Sequence, residues 1–153
     1  MVLSELKYGF TKNKTIKHKM FLQPKRSKYK KLKKNKLPKL DFKKNKLKFG
    51  NIGLKTLESG FITAKQIESA RQTINKKVNK KGKLWIRIFP DCPVTRKPIE
   101  IRMGKGKGSV SHWCARVKSG TVLFELYGVS NNIASIALKG GSSKLSVKTK
   151  IFL

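Results

Sequence analysis

A glycine–lysine stretch is the part of this sequence whose residue types most directly indicate binding chemistry. It reads RMGKGKG and is followed by the more apolar SVSHW. Glycine lets a backbone pass close to phosphate groups, Lys supplies point charges, and an Arg guanidinium can bind phosphate through two hydrogen bonds. The stretch therefore indicates a finger that binds a polyanion, with an ordinary solvated loop as the other interpretation. Its candidate residues are Arg102, Met103, Gly104, Lys105, Gly106, Lys107 and Gly108.

The same stretch does not fit either common nucleotide-binding loop. A P-loop ends in Gly-Lys followed by Ser or Thr, whereas GKGKGS ends in Gly-Ser, and the dinucleotide fingerprint would need its third glycine one position later. Both motifs also open a helix whose N-terminus faces the phosphates. The residues after Gly108 have the alternation of a strand, so we exclude nucleotide binding.

Residues for catalysis or metal binding are poorly placed. The seven acids are scattered along the chain without a close pair for acid–base chemistry or Mg²⁺. His112 and Cys114 would share one face of a strand, where a thiol–imidazole pair is conceivable, but ordinary strand packing is the favoured interpretation. Cys92, Cys114, His18 and His112 lack the short paired spacing of a zinc site. We expect no catalytic residue, no metal and no cofactor.

The charge of the chain points to a polyanionic partner. Lys and Arg number 38 against 7 Asp and Glu, a net charge of +31. Such a chain repels itself unless a polyanion neutralises it, which favours nucleic acid first and an anionic membrane surface second. No apolar run approaches the roughly 18–20 residues of a spanning helix. Residues 1–19 also resemble neither a secretory signal nor an import sequence, so we expect no membrane insertion.

Two regions must position these residues. Residues 1–48 are dense in Lys, contain Pro24 and Pro38, which break long helices, and lack a sustained apolar stripe. Such a segment cannot bury enough apolar surface to offset its ordering entropy. We therefore predict a basic N-terminal arm over 1–48 that orders on its partner, with 1–19 as an extra extension. Residues 49–153 form the predicted globular domain, with a flexible loop at 102–108.

A helix is predicted over residues 64–80. The segment TAKQ fits a capping box that begins at Thr63, and Gly82 is a suitable stop. The outer face carries Lys65, Arg71, Gln72, Lys76 and Lys80. Because Glu68 is the only acid on the helix and cannot pair all of these cations, a phosphate-facing surface is favoured over a solvated one. The apolar stripe consists of Ile67, Ala70, Ile74 and Val78.

The remaining pattern predicts an α+β fold, a mainly antiparallel sheet with two helices packed on it and a basic N-terminal extension. A second helix should begin near Ser130, use Ile133 in its apolar face, and end at Gly140 and Gly141. Strands 109–117 and 121–127 should pair as an antiparallel hairpin. The other predicted strands are short ones within 50–63, then 83–90, 99–102 and 145–152, with 91–98 as a turn-rich connection.

Several segments resemble the family of large-subunit ribosomal protein sixteen of bacteria and organelles. They are FLQPKRSKYKK, GLKTLESGFITAKQIESARQTI, GKLWIRIFPDCPVTRKPIEIRMGKGKG, VLFELYGV and KLSVKTKIF. They follow one another in unbroken order from about residue 20 to 152. The extra residues 1–19 precede the usual bacterial start, so Met20 is expected to match the initiator of relatives. The chain also has less Arg in its arm than is usual for the family.

The resemblance implies a non-enzymatic protein bound to large-subunit rRNA near the peptidyl-transferase region. Its loop at 102–108 would point toward the aminoacyl site, and some relatives hydroxylate the arginine that matches Arg102. The implied partners are large-subunit rRNA, tRNA in the aminoacyl site and neighbouring ribosomal proteins, with no homo-oligomer expected. The residues expected to contact rRNA are Gln23, Lys25, Arg26, Lys28, Tyr29, Lys30, Lys31, Lys33, Lys34, Lys65, Arg71, Lys76 and Lys80.

Two other classes remain as alternatives. One is a nonspecific cationic protein that binds nucleic acid or membranes, although helix 64–80 lacks bulky membrane anchors. The other is an RNA-modifying enzyme. The abundance of Lys, Asn, Ile and Phe, whose codons are rich in A and T, favours an organelle genome. We therefore expect a mitochondrial ribosome, with a plastid or the bacterial cytoplasm as the alternatives.

Overall fold

The computed structural model describes residues 22–33 and 40–153. The predicted extension 1–19 and the predicted rRNA contact Lys34 lie outside these residues. The described part confirms the α+β prediction, since two helices accompany antiparallel strands. The elements are β1 (Ile52–Thr56), β2 (Gly60–Thr63), α1 (Ala64–Lys77), β3 (Lys83–Ile86), β4 (Cys92–Arg96), β5 (Ser109–Val117), β6 (Val122–Tyr127), α2 (Asn131–Ser142) and β7 (Thr149–Phe152).

The strands form two sheets. One has the order β3-β6-β1-β7 and the other β2-β5-β4, with antiparallel pairing throughout. The predicted hairpin between residues 109–117 and 121–127 is therefore wrong, because β5 and β6 lie in different sheets. The reason lies at the end of β1, where Thr56 binds the short connection between them. Its hydroxyl donates to the Lys118 carbonyl at 2.6 Å, and its amide donates to the Thr121 carbonyl at 3.0 Å.

The first helix begins as predicted. Thr63 caps α1 with both bonds of a capping box, from its own amide to Gln66 Oε1 at 2.9 Å and from the Gln66 amide to Thr63 Oγ1 at 3.3 Å. The helix ends at Lys77, earlier than predicted, because Asn79 and Lys80 adopt positive φ angles of 52° and 59°. The predicted stripe is buried throughout, at Ile67, Ala70, Ile74 and Val78.

The second helix is longer than predicted. It starts after Ser130 but runs through Gly140 and Gly141 instead of ending there. A Cβ on Gly141 would lie 2.7 Å from the side chain of Ile74 on α1. The glycine therefore permits close helix packing, which outweighs its low helix propensity. Ile133, predicted in the apolar face, is instead 48% exposed.

Three strand predictions need correction around β4. The predicted strand 83–90 ends at Ile86, the predicted connection 91–98 contains β4, and the predicted strand 99–102 is part of a loop. Because β4 pairs with β5 and Arg96 lies opposite Ser109, residues 97–108 are the connection of this hairpin. Ile99 pairs with none of the described strands and is 92% exposed. β4 also tolerates Pro93 because it lies at a sheet edge.

The core lies between the helices and the inner faces of the strands, around Phe124, Leu54 and Ile67. Leu22, at the beginning of the described arm, joins this core and is 9% exposed. The arm is therefore attached to the domain at its first described residue. Among the described residues, neither helix has the length and apolar character that crossing a membrane requires.

Candidate nucleic-acid interface

The glycine–lysine finger, residues 102–108, is a turn in the hairpin connection between β4 and β5. Gly104, Lys105 and Gly106 have consecutive positive φ angles of 97°, 50° and 86°. Glycine adopts this conformation without steric cost, whereas other residues are strained there. A Cβ at Gly104 or Gly106 would meet nothing within 4 Å. The backbone conformation, and not lack of space, therefore explains these two glycines.

The finger projects its side chains into solvent. Arg102, Lys105 and Lys107 are exposed, and Met103 is 95% exposed. Lys97, on the N-terminal side of the same connection, donates its amino group to the Gly104 carbonyl and so holds the turn from inside. The structure thus places the whole predicted stretch in one turn with three exposed cations.

The described part of the basic arm lies against the finger. Lys31 Nζ donates to the Lys107 carbonyl at 2.8 Å, and Lys107 Nζ donates to the Leu32 carbonyl at 2.6 Å. Two regions that sequence reasoning treated separately are therefore adjacent. Both amino groups bind neutral carbonyls, so their positive charges are not cancelled by a carboxylate in these bonds. Arm and finger form one cationic surface.

The predicted contacts of the arm are exposed wherever the structure describes them. Tyr29 is 61% exposed, and Lys28 Nζ lies 5.6 Å from the centre of its ring. Cationic and aromatic side chains on one exposed segment match the two chemistries of RNA, phosphate charge and base stacking. The exposed predicted residues are Gln23, Lys25, Arg26, Lys28, Tyr29, Lys30, Lys31 and Lys33.

The cations predicted to contact rRNA from the first helix fall into two kinds, and one of them, Lys80, lies beyond the end of α1 at Lys77. Lys65, Lys76 and Lys80 are exposed. Arg71 instead binds Glu68 through two bonds, from Nε at 2.8 Å and from a terminal nitrogen at 2.6 Å. The hydrogen bond from Arg71 outweighs burial and lowers the pKa of Glu68, and the same bond raises the pKa of Arg71. Arg71 is therefore already paired with Glu68, and the three lysines are the better candidates for phosphate contacts.

Sequence reasoning missed how residues 40–50 bind the domain. This segment, the latch, lies on the outer face of the sheet β3-β6-β1-β7. The Asp41 amide donates to the Ser119 carbonyl at 2.9 Å, and the Val122 amide donates to the Lys44 carbonyl at 3.0 Å. Leu47 packs over Gly53 of β1. The highly charged composition of the segment gave no sign of this attachment.

Glu125 is the main anchor of the latch. Its side chain is fully buried on β6 and accepts backbone amides from Phe49 at 2.7 Å, Gly50 at 2.9 Å and Lys48 at 3.2 Å. The Arg87 guanidinium donates to its other oxygen. Burial alone would raise the pKa of Glu125, but these hydrogen bonds outweigh burial and hold it below its usual value. The sequence signal for this anchor was an acid, Glu125, within the otherwise apolar run VLFELY.

Asp41 holds the other end of the latch. One oxygen accepts the amides of Lys43 at 3.0 Å and Lys44 at 3.2 Å, and the other accepts the Thr121 hydroxyl at 3.2 Å. Burial opposes ionisation, but these bonds prevail and lower the pKa of Asp41. Both carboxylates therefore bind the protein's own backbone, which is a structural role.

His112 and Cys114, the predicted thiol–imidazole pair, differ in their exposure. His112 is exposed, whereas Cys114 is buried and donates its thiol to the Cys92 carbonyl at 3.5 Å. Within residues 22–33 and 40–153, no group of His, Cys, Asp and Glu side chains is arranged to hold a metal ion. Cys92 and Cys114 lie opposite each other and support the packing of β4 on β5.

An α+β domain with an exposed basic arm and finger, whose Asp41 and Glu125 bind its own backbone, is typical of nucleic-acid-binding proteins. A family model described as ribosomal protein L16p/L10e matches residues 24–152. The chain belongs to the ribosomal protein L16p/L10e family. The resemblance inferred from the sequence is thereby confirmed, and so is a structural, non-enzymatic class.

Curated relatives agree with the family model. The chain is 51% identical over 128 residues to the large ribosomal subunit protein uL16 of Halorhodospira halophila, a match that covers 84% of this chain and 93% of the relative. It is 50% identical over 130 residues to the protein of the same name from Psychrobacter arcticus, covering 85% and 95%. The Borreliella burgdorferi protein is 53% identical over 128 residues, covering 84% and 93%.

Proposed function

We propose that this chain is a structural protein of the large ribosomal subunit that binds large-subunit rRNA through its arm and finger. The observation that carries the proposal is the pair of bonds between Lys31 and Lys107 and between Lys107 and Leu32. These bonds join two exposed cationic segments into one surface. Phosphate contacts of this kind fix a protein on RNA without reading its sequence.

The division of the chain follows from this role. We propose that residues 1–48 are the rRNA-binding arm and that 49–153 are the globular domain. The latch bonds of Asp41 and Glu125 support a tether between them, because they fix the C-terminal end of the arm on the sheet. Leu22 fixes the described start of the arm in the core. The exposed lysines between these two points are then presented to rRNA.

The finger is proposed to serve the aminoacyl-tRNA site. Its tip carries Arg102, Lys105 and Lys107 in an exposed turn, and these cations are suited to the phosphates of a passing tRNA. Lys65 and Lys76 of α1 and Lys80 just beyond it are proposed as further rRNA contacts, followed by Arg71. The proposed partners are rRNA, tRNA in the aminoacyl site and neighbouring ribosomal proteins, with the chain acting as a single copy.

The ribosome concerned is proposed to be mitochondrial. The abundance of Lys, Asn, Ile and Phe supports an A/T-rich organelle genome. The relatives named above are bacterial, which supports a bacterial type of ribosome and keeps the bacterial cytoplasm as the alternative. Immunodetection of the chain in ribosomes from purified mitochondria tests this location. Its recovery only with cytoplasmic ribosomes would contradict it.

The rRNA proposal is tested by the salt dependence of binding. The purified full chain and a large-subunit rRNA fragment should bind with a log–log slope on the order of −7 to −9, the value for about ten phosphate contacts. The variant Lys105→Ala/Lys107→Ala should make this slope shallower by about 1.5, because two contacts are lost.

A matched double variant separates specific placement from general charge. Lys139→Ala/Lys144→Ala removes two exposed lysines outside the arm, the finger and α1. We expect its slope to equal that of the unchanged chain. An equal reduction in both variants would support the nonspecific cationic protein instead, and a shallow slope in the unchanged chain would overturn rRNA binding altogether.

A further inference from the structure

Three aromatic rings form a continuous cluster on the outer face of the sheet β3-β6-β1-β7. Phe49 of the latch stacks on Trp85 of β3, with ring centres 6.0 Å apart and planes at 23°. Trp85 meets Tyr127 of β6 edge to face, with centres 6.5 Å apart. We name Phe49, Trp85 and Tyr127 the aromatic cluster. The aromatic cluster belongs neither to the finger nor to the arm residues around Lys31 that contact the finger.

The aromatic cluster is not part of the core. Phe49 is 50% exposed and Tyr127 is 51% exposed, whereas Phe124 on the same sheet is completely buried. Side chains alternate between the two faces of a strand, so Tyr127 and Phe124 point to opposite sides of β6. Leaving large rings half exposed forgoes the favourable free energy that burial of their apolar surface would contribute. The exposed ring surface is therefore available to a partner.

Cations surround the aromatic cluster. Lys48 Nζ lies 5.7 Å and Arg87 Cζ lies 5.3 Å from the centre of the Phe49 ring. Arg87 is paired with the buried Glu125, so it holds the ring in place. Lys48 is exposed, as is Lys83, which lies opposite Tyr127 in the sheet. Two cations without a carboxylate in these contacts thus flank two exposed rings.

We propose that the aromatic cluster is a second RNA-binding site, which takes unpaired nucleotides. Their bases would stack on the exposed surfaces of Phe49 and Tyr127, and their phosphates would contact Lys48 and Lys83. Aromatic rings on an open sheet with flanking cations are the chemistry that binds single-stranded RNA. The site rests on the proposed rRNA-binding function and deepens it, because it assigns recognition of unpaired bases to a surface distinct from the finger.

The ligand is a base and not a peptide because of the balance of charge. Interfaces between proteins are depleted of Lys, whereas the rings of the aromatic cluster are flanked by Lys48 and Lys83. Glu125, the acid next to Trp85 in the sheet, is buried under the latch and already bound. The accessible surface thus combines π faces with positive charge, which complements a nucleotide.

The test uses the full chain and labelled uridine oligomers of about ten nucleotides, a length within the range of single-strand sites. The variant Phe49→Leu/Tyr127→Leu keeps apolar bulk but removes both π faces. We expect its Kd for the single strand to rise about tenfold or more, since stacking contributes about 1–3 kcal/mol per base. Its affinity for an RNA duplex of the same length and its salt slope should not change, because the phosphate contacts remain.

Two further variants control for folding and for general apolar effects. Phe89→Leu changes the same residue type at 51% exposure outside the aromatic cluster and should leave all affinities unchanged. Phe49→Trp, made together with Tyr127→Phe, keeps both π faces and should retain single-strand affinity. Circular dichroism and Tm verify that each variant is folded.

The outcomes separate this proposal from the proposed function. If Phe49→Leu/Tyr127→Leu binds the single strand as tightly as the unchanged chain, base stacking on the aromatic cluster is overturned, and a protein partner becomes the occupant of this surface. A steep salt slope of the unchanged chain would still support rRNA binding by the arm and finger. Equal weakening for single strand and duplex would also overturn stacking. A shallow slope in the unchanged chain would instead contradict the rRNA-binding function itself.

Discussion

The latch, residues 40–50, and the finger, residues 102–108, are both rich in Lys but are held in opposite ways. Two carboxylates, Asp41 and Glu125, bind the latch through backbone amides. The finger is held by lysine amino groups that bind carbonyls, at Gly104 and Lys107. A basic segment near carboxylates thus becomes part of the fold, whereas one without them remains a surface for an outside anion.

The distribution of the other acids extends this comparison. Glu68 binds Arg71 within α1, and Glu58 accepts the Lys148 amide at 2.8 Å. Together with Asp41 and Glu125, these acids satisfy hydrogen bonds of the protein itself. The excess of Lys gives the protein a positive electrostatic potential at its surface. Such a potential attracts a polyanion and speeds its association. The few acids therefore serve folding, and the many basic residues remain for the proposed binding of rRNA.

The largest expected effect on stability comes from a substitution that weakens the attachment of the latch. Glu125→Gln removes the charge that balances the half-buried Arg87 and weakens the amide bonds from residues 48–50. The free energy of unfolding should fall by about 3–5 kcal/mol, the usual cost of breaking a buried ion pair. Urea denaturation followed by circular dichroism measures it. Glu100→Gln, at an exposed finger-side position, should change stability by less than about 0.5 kcal/mol; equal stability of both variants would refute the anchoring role of Glu125.

An intermediate effect concerns pH. The pKa of Asp41 lies below its ordinary 3.8, and those of Glu68 and Glu125 lie below 4.5. A carboxylate with a lowered folded pKa stabilises the protein above its unfolded pKa, and this contribution is lost as pH falls through the folded value. Tm should therefore decrease as the pH is lowered below about 4.5. The decrease in Tm should be smaller for Glu125→Gln than for the unchanged chain. A Tm that is constant or higher in acid would contradict this assignment.

The smallest effect on stability is expected in the finger. Lys105→Ala/Lys107→Ala should change the free energy of unfolding by less than about 0.5 kcal/mol, because both side chains are exposed. The same variant should assemble into ribosomes but slow accommodation of aminoacyl-tRNA, measured by stopped-flow fluorescence on reconstituted ribosomes. Loss of folding would show that the finger is structural, and an unchanged rate would separate it from the tRNA path.

Local signals predicted the elements well where the chain makes its own contacts. The capping box at Thr63, the stripe from Ile67 to Val78 and the full length of β5 are determined by residues close in sequence. Pairing between strands was predicted less well. Residues 118–120 resembled a hairpin turn, yet Thr56 of β1 binds the carbonyls of Lys118 and Thr121 and directs the chain into the other sheet.

The candidate site divides in the same way. The exposure and the glycine-dependent turn of the finger follow from RMGKGKG, and the basic character of the arm follows from its composition. The contact of Lys31 with Lys107, the burial of Leu22 and the latch on Glu125 join residues far apart in sequence. The aromatic cluster is also of this kind, because Phe49, Trp85 and Tyr127 come from three separate segments.

The sequence by itself determined the class of partner, the fold class and the family, because charge, periodicity and motif are properties of the chain read in order. Only the tertiary structure decided which backbone amides of the latch are bound by carboxylates, which strands share a sheet and which aromatic rings meet at the surface. The physical reason is that these outcomes depend on burial and on hydrogen bonds between distant segments. A buried carboxylate such as Glu125 must satisfy its charge with whatever donors the fold brings to it.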